Sequence, residues 1–458
     1  MGAVRALTKV IILVFVLLFL PILYLLNRIG GPPVATFPVV SRRTLVPTSR
    51  HHLLFSLSSS NSTFLHREPY IRLWYSPLTT RAFIFLEQKP PEIQSFHALP
   101  PVIVSQNTSQ FPYTLKKGFR SAVRVARVVK EAVQLNQKDI RWFVFGDDDT
   151  VFFVDNLVRT LAKYNHEKWY YIGSNSENYD QNQYESFEMA FGGAGIAISY
   201  PLAVALADVL DSCLFRYGYV YGGDARIYSC LAELGVGLTH EPGFHQVDMR
   251  GNLFGMLSSH PLSPLVSLHH LEYADPVFPN RTRVGSIQHL FEAASVDPAR
   301  VLQQTVCYNR NPSLTVSISW GYSVQIYEGN KQIPDLLSAQ KSFKPWRRGA
   351  SSKFDRYMFK VRPYSGGSCE ASSVFFFDSV RSDNSGVVTS YSLTDGTFCN
   401  KNKMLASVKR VSVLTSKQRL EVDETPRRQC CDVVSINLES ISVSIRKCRS
   451  QELIAMPS

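Results

Sequence analysis

Short apolar runs along the chain switch between a period of two and one of about 3.6 residues, and the switches predict its elements. His52 to Leu57 is strand-like, Arg67 to Trp74 reads as helix, and Ala82 to Leu86 is strand-like again. Ala122, Val125, Val129, Ala132 and Val133 place an apolar stripe on the next helix, and Trp142 to Phe145 forms the strand after it. A further strand is predicted from Trp169 to Ile172, ending at Gly173 and Ser174. This alternation predicts an α/β domain over residues 51–300 with a mostly parallel sheet. Beyond about residue 300 the pattern changes. Leu314 to Trp320, Val324 to Tyr327, Val374 to Phe377 and Val433 to Val443 read as strands between polar turns. Residues 301–458 are therefore expected to form a separate β-rich domain.

The amino-terminal end follows neither period. Val10 to Leu26 are seventeen residues without a charge, bracketed by Arg5, Lys9 and Arg28. Such a run is a membrane anchor or a signal peptide, and its length favours an uncleaved anchor. The expected layout is a cytoplasmic tail over 1–9, a transmembrane signal-anchor over 10–29 and a stem over 30–50, where Gly30, Gly31, Pro32, Pro33, Pro38 and Pro47 break regular structure. Basic residues alone leave the orientation open, because Arg28, Arg42 and Arg43 lie beyond the run while Arg5 and Lys9 precede it. Sequons at Asn61, Asn107 and Asn280 are candidate N-glycosylation sites and would put the body of the chain in a lumen.

Cysteine usage agrees with an oxidising compartment. Six of the eight cysteines, Cys307, Cys369, Cys399, Cys430, Cys431 and Cys448, lie in the last third. Cys430 and Cys431 show no spacing typical of zinc, so disulfides are the expected use; Cys213 and Cys230 either bridge or are buried thiols. Lys and Arg exceed Asp and Glu by 49 to 37, a formal charge of +12 that would attract nucleotide diphosphates, acidic glycans or a membrane surface. The basic residues are scattered and carry no nucleic-acid-binding motif, so nucleic acid is not an expected partner.

Three consecutive aspartates, Asp147, Asp148 and Asp149, stand between the apolar runs Trp142 to Phe145 and Val151 to Val154. Like charges about 4 Å apart repel by roughly 4 kcal/mol at an effective dielectric of about 20, so this cluster needs a cation or protons. Asp147 and Asp149, two apart, point one way from an extended chain and would flank one metal. Oxygen ligation suits Mn²⁺ or Mg²⁺, ions that commonly hold a substrate's phosphates. The cluster also sits at a strand's carboxyl end, where open α/β sheets bind ligands. The plainer alternative is a solvated acidic turn capping the helix that begins at Asp155 or Asn156.

Later segments add further chemistry. Phe191 to Ser199 combines Gly192, Gly193 and Gly195 with an apolar run, so backbone there can approach a ligand or can simply turn. Asp224 begins a helix carrying Cys230, Leu231 and Leu234, as an N-cap or as a reactive acid. His245 lies in Pro242-Gly243-Phe244-His245-Gln246, and His269 and His270 close the segment; each is a ligand or a hydrogen-bonded structural histidine.

The run WFVFGDDDT, then YYIGS, FGGAGIAIS, YGGDARI and PGFHQ, resembles the fringe-like β-1,3-glycosyltransferases, and most of all a plant branch carried as a domain of unknown function. The resemblance spans about residues 50 to 290 and continues into the cysteine-containing tail. It implies a GT-A-like fold and an inverting transferase that moves a sugar from a UDP-sugar donor to a hydroxyl of a glycan or glycoprotein acceptor. It also implies Mn²⁺ or Mg²⁺, and a single-pass type II position in the Golgi membrane with the body in the lumen. By that likeness Asp147 and Asp149 end the metal-binding element, and Asp148 lies near the donor ribose. Gly192, Gly193, Ala194 and Gly195 wall the sugar and acceptor sites. His245 completes the metal site, with His269 or His270 as alternatives. Asp224 matches the catalytic base. One departure is plain: relatives commonly carry two adjacent acids where this chain has Asp224 and Ala225. A noncatalytic glycan-binding protein on the same fold is therefore the rival reading, and a metal-dependent phosphodiesterase, which needs more ligands, a further one.

Overall fold

The strand-like run near His52 becomes β1 (Leu53–Ser58), buried at every position. The computed structural model describes residues 47–90, 98–116, 118–347, 355–364, 372–384, 386–393, 407–416 and 427–454, with Leu17, Phe19 and Leu20. After β1 the α/β part contains β2 (Arg81–Leu86), β3 (Val102–Val104), β4 (Trp142–Asp147), β5 (Val151–Phe152), β6 (Tyr171–Gly173), β7 (Ile196–Ser199), β8 (Leu238–His240), β9 (Phe244–His245), β10 (Met249–Gly251) and β11 (Ser267–Leu268).

Seven of these form one sheet in the order β3-β2-β1-β4-β7-β6-β8. Strands β3, β2, β1 and β4 run parallel, as the alternating pattern predicts. The sheet is nevertheless mixed, because β7 lies antiparallel to both β4 and β6. That reversal sets Ile196 opposite Phe145, so the chain entering β7 starts beside the carboxyl end of β4. Strand residues alternate between two cores. Leu54, Phe143 and Ile198 pack with Val129, Leu206 and Ile227 of the helices Ser121–Gln134, Tyr200–Arg216 and Gly223–Glu233. Leu53, Phe55 and Leu57 face the other way.

A small second layer matters more for the site. In the order β5-β11-β9, the central β11 is antiparallel to β5 and parallel to β9. Leu268 pairs with Val151 on one side and with His245 on the other.

The carboxyl-terminal part is β-rich as expected, with β12 (Gln304–Asn309), β13 (Leu314–Ser319), β14 (Ser323–Glu328), β15 (Ala339–Gln340), β16 (Phe343–Pro345), β17 (Val361–Arg362), β18 (Ser373–Ser382), β19 (Val387–Leu393), β20 (Arg410–Thr415), β21 (Cys430–Ile436) and β22 (Ser440–Arg446). The run Val433 to Val443, expected as one strand, spans two, because the chain turns between Ile436 and Ser440 and pairs β21 with β22. Eight strands form a sheet in the order β12-β13-β14-β18-β19-β20-β22-β21. Its first and last strands come together, since Cys307 of β12 bonds Cys431 of β21. Cys430–Cys448 ties down the following segment, and Cys213–Cys230 joins two helices of the α/β part. Cys369 and Cys399 lie outside the described residues.

Thr48–Ser458 forms one compact unit, and Met1–Pro47 is a unit of its own. A single core runs from Leu53 and Phe55 through Phe244 and Leu268 to Trp320, Tyr391 and Val443, so both sheets bury against shared side chains. Two further seams join them: β10 pairs with β16, and Asn178 bridges Tyr357. No helix among the described residues is long and apolar enough to cross a membrane. Of the expected anchor, only Leu17, Phe19 and Leu20 are described, as helix; Arg5, Lys9, Arg28 and the stem up to residue 46 lie outside the described residues. Asn107 and Asn280 are exposed, whereas Asn61 is half-buried and its side-chain nitrogen donates to the Lys89 carbonyl at 3.3 Å.

The Cys307–Cys431 bond closes a separation of 124 residues, and long closures restrict the unfolded chain most. Replacing both cysteines by alanine is expected to cost about 2–5 kcal/mol, read as a lower denaturant midpoint; an unchanged midpoint would contradict the bridge.

Candidate functional site

Strand β4 ends at Asp147, and the chain turns through Asp148, Asp149 and Thr150 into β5. Thr150 braces the turn: its hydroxyl accepts from the Asp147 amide at 2.8 Å and donates to the Gly193 carbonyl at 2.8 Å. The three carboxylates then part. Asp148 points to one side, where one oxygen accepts from Ser59 (2.6 Å) and Thr63 (2.8 Å) and the other from Arg67 (2.9 Å). Parallel pairing explains this, because Ser58 lies opposite Asp147 and so delivers Ser59 beside Asp148. Both Asp148 oxygens therefore already have protein donors.

Asp147 and Asp149 point the other way, as their spacing predicts, and meet His269. One ligand atom from each lies within 4.8 Å of the others. His269 Nε2 is 3.1 Å from Asp149 Oδ1 and 3.6 Å from Asp147 Oδ2. Asp149 is fully buried, while Asp147 keeps 38% of its side chain exposed and forms the mouth of the cluster.

Burial alone would raise Asp149, but the His269 imidazolium, its hydrogen bond and Arg67 hold that carboxyl well below the usual range. Burial would likewise lower His269, yet Asp149 and then Asp147 push it up to about 9. Asp147 is pushed up to about 7, first by burial and then, against the lowering effect of His269, by the neighbouring carboxylates Asp149, Asp148 and Asp224. Within this cluster two buried atoms have no hydrogen-bond partner, Asp149 Oδ2 and His269 Nδ1. An anionic oxygen buried without a donor is costly, and a cation at this point would satisfy it. Two carboxylates and an imidazole fit a divalent ion, and the oxygens favour Mn²⁺ or Mg²⁺.

His245 does not join this cluster. Its Nδ1 is 2.8 Å from Glu177 Oε1, and its Nε2 is 2.8 Å from Nε2 of His260. The strand order supplies the reason. In this layer β11 and not β9 borders β5, so the residue after Leu268 falls beside the aspartates, while β9 lies one strand further out, about 4.8 Å away. His269, the alternative left open by the sequence, holds the position expected of His245. His270 turns aside to Asp248, 3.1 Å from its Nδ1. Glu177 and His260 carry no signal in the sequence, because their pairing with His245 exists only after folding.

The glycine-rich segment is the hub that joins these parts. The Gly192 amide donates to Asp224 Oδ2 at 3.1 Å, and the Ala194 amide donates to Gln246 Oε1 at 2.8 Å. The Ala194 carbonyl accepts from the Ser267 hydroxyl. A Cβ on Gly193 would lie 2.1 Å from the His269 ring, so glycine is required for the imidazole to reach the aspartates. Gly195 has φ +97, which a side chain would strain, and a Cβ there would meet Phe152 at 2.8 Å.

Asp224 stands on the first turn of the helix Gly223–Glu233, across the glycine segment from the aspartates. Its other oxygen accepts from the Ala225 amide at 2.9 Å, and burial raises its carboxyl. Ala225 itself is buried with Met189 and Phe191, so a second acid at that position would enter an apolar cluster. Glu185 is a further carboxylate that the sequence did not single out. Burial, and then the charge of Asp224, push it up to about 7.

A family described as "Protein of unknown function, DUF604" matches residues 181–431, more than half of the chain. The chain belongs to the DUF604 family. The matched span holds the glycine segment, Asp224, His245 and His269; the aspartate triplet precedes it. No curated protein matches this DUF604 chain.

Two predictions follow from the way the DUF604 segment packs on the aspartates. Gly193→Ala must displace the His269 ring, and overpacking of this kind costs about 1–3 kcal/mol; a thermal melt with unchanged midpoint would contradict the contact. His269 takes up its proton more tightly folded than unfolded, so its contribution is complete below pH 6.5 and is lost as pH rises through about 9. In chelator-treated protein the stability gap between wild type and His269→Ala should therefore narrow by up to about 3 kcal/mol across that window. Denaturant titrations at the two ends check it, and a gap that widens would refute the ion pair.

Proposed function

We propose that this protein is an inverting, metal-dependent glycosyltransferase that moves a sugar from a UDP-sugar to a hydroxyl of a glycan or glycoprotein, forming a β-1,3 linkage. One observation carries the reading: Thr150, in the turn that bears Asp147 and Asp149, bonds Gly193, and Asp224 bonds the adjacent Gly192, so the aspartate–histidine cluster and Asp224 flank a single glycine turn. A site that handles a diphosphate leaving group and an attacking hydroxyl together needs those two functions a few ångströms apart and rigidly related. The order of the motifs, resembling the fringe-like transferases, points the same way, and a GT-A-like fold is part of the proposal.

A divalent cation held by Asp147, Asp149 and His269 would supply positive charge to the diphosphate as it leaves. Every other part belongs to the chain. Asp224 accepts the proton of the acceptor hydroxyl as that oxygen attacks the anomeric carbon. The Gly192 and Ala225 amides hold its two oxygens in place, and burial raises its affinity for the proton it must take. One base attacking opposite the leaving group inverts the anomeric configuration, in contrast to the paired carboxylates of retaining glycosidases. Arg67 bonds Asp148 and Asp149 and keeps the aspartate turn fixed while charge changes beside it. The crowd of carboxylates makes a free phosphate a poor ligand without a cation, which agrees with metal dependence. Galactose, N-acetylglucosamine and glucuronic acid are the donors that the resemblance offers, and the anchored, lumenal placement in the Golgi membrane belongs to the same proposal.

The test is UDP release with a panel of UDP-sugars and Mn²⁺. Asp224→Asn is expected to lower turnover about 10²–10⁴-fold while Mn²⁺ affinity is kept. Equal turnover would remove Asp224 from the mechanism. Nucleotide binding without turnover in wild type would favour the noncatalytic reading that Ala225 suggests.

A further inference from the structure

The β-rich part reaches back to the aspartate cluster through one short seam. Strand β16 pairs antiparallel with β10, setting Gly251 against Phe343 and Met249 against Pro345, and Arg250 Nε donates to the Pro345 carbonyl at 3.0 Å. The next residue is Trp346. Its ring lies 4.3 Å from that of His270 at an interplanar angle of 16°. His269 lies 3.8 Å from the same His270 ring, tilted by 32°. Two rings this close to a third, one stacked on it and one tilted over it, would collide on a single face and so occupy its opposite faces. The result is a stack in which the Gly193 backbone, His269, His270 and Trp346 succeed one another. Tyr273 flanks the outer pair, edge-on to Trp346 at 5.1 Å and to His270 at 5.5 Å.

His270 needs such support. Its backbone has φ 53 and ψ 23, a left-handed conformation that is uncommon for a non-glycine residue. One polar bond, to Asp248, orients the ring, and Asp248 is itself anchored by Ser176 at 2.6 Å. On the far side of the stack, His269 has no hydrogen bond at Nδ1 to fix its rotation. Metal-binding histidines are ordinarily held by a bond from their second nitrogen. Here packing has to do what that bond does elsewhere.

We propose that Trp346 is a positioning residue for the aspartate–histidine centre: supplied by the β-rich part, it presses His270 against His269 and so holds the His269 ring towards Asp147 and Asp149. This rests on the metal-binding reading of that centre only for its functional consequence. The packing of the three rings is independent of any metal. The role also differs from that of a generic buried residue, because a flat ring is required and mere volume is not enough.

Trp346→Leu keeps apolar volume without a flat face, and Trp346→Phe keeps the face. The first measurement uses metal-free full-length protein and reads acylation of His269 by diethyl pyrocarbonate, residue by residue, by peptide mass spectrometry. Trp346→Leu should expose His269 and raise its labelling about tenfold, with Trp346→Phe within twofold of wild type. Equal labelling in wild type and Trp346→Leu would overturn the proposal. The second measurement titrates Mn²⁺ alone by electron paramagnetic resonance. Trp346→Leu should bind Mn²⁺ about tenfold more weakly, the lower end of the effect of losing an outer-shell partner, and Trp346→Phe should restore it. Wild type that fails to bind Mn²⁺ would refute the metal reading, while the labelling measurement would still decide the role of Trp346.

Discussion

Four carboxylates, Asp147, Asp148, Asp149 and Asp224, are gathered around the end of one strand, and the rest of the site is arranged to make that tolerable. Unscreened, such neighbours repel by several kcal/mol at an effective dielectric of about 20. Each is met differently. Asp148 receives two hydroxyls and a guanidinium, Asp149 receives His269 and Arg67, and Asp224 receives two backbone amides. Asp147 and Asp224 are left partly exposed, and the Asp147 carboxyl is pushed up to about 7 by burial and by its carboxylate neighbours. The buried Asp149 Oδ2 beside it has no protein donor, which is the opening the proposed cation would fill.

Two features of the sheets make this gathering possible. The antiparallel entry of β7 against β4 brings the glycine segment alongside the aspartate turn. The central position of β11 between β5 and β9 decides which histidine arrives there. Both are matters of strand order, and both act through backbone hydrogen bonds. Gly193 then removes the one Cβ that would keep the imidazole out. In such an arrangement the glycines serve the protein's own side chains before they serve any ligand.

The β-rich part shares a core with the α/β part, and its β16 places Trp346 next to the histidine pair. Close to that seam, the Met358 amide donates to the Glu177 carbonyl and Arg356 pairs with Asp180, so the segment that anchors His245 is also braced from the β-rich side. An architecture of this kind couples the centre to a region more than seventy residues further along the chain. Disulfides at Cys307–Cys431 and Cys430–Cys448 stiffen the far edge of that region and limit how its sheet can rearrange.

Local pattern was enough for several of the elements, though the helix expected over Arg67 to Trp74 is Phe64–Arg72 and the strand expected from Trp169 begins at Tyr171. Apolar periodicity placed the strands at Leu53, Arg81 and Trp142 and the helices at Ser121 and Gly223 nearly to the residue, because burial of one face dictates the period that a sequence must show. Asp147 and Asp149 meet on one side and Asp148 on the other, as expected, but Asp148 and Asp149 lie in a turn beyond β4, so extended-chain alternation gave the right outcome for a reason the structure does not supply. Strand order, by contrast, leaves no mark on a sequence. His245 and His269 look alike in one dimension, and only the position of β11 makes His269 the neighbour of the aspartates. The turn inside Val433 to Val443 and the reversed β7 were hidden for the same reason, since an apolar run reads identically whichever way it is paired. Glu177, His260, Glu185 and Trp346 acquire meaning only from partners distant in the chain. Residue types along the chain fix where charge, flexibility and apolar faces lie; which of them meet is settled only on folding, because contacts between strands depend on backbone pairing that every sequence shares.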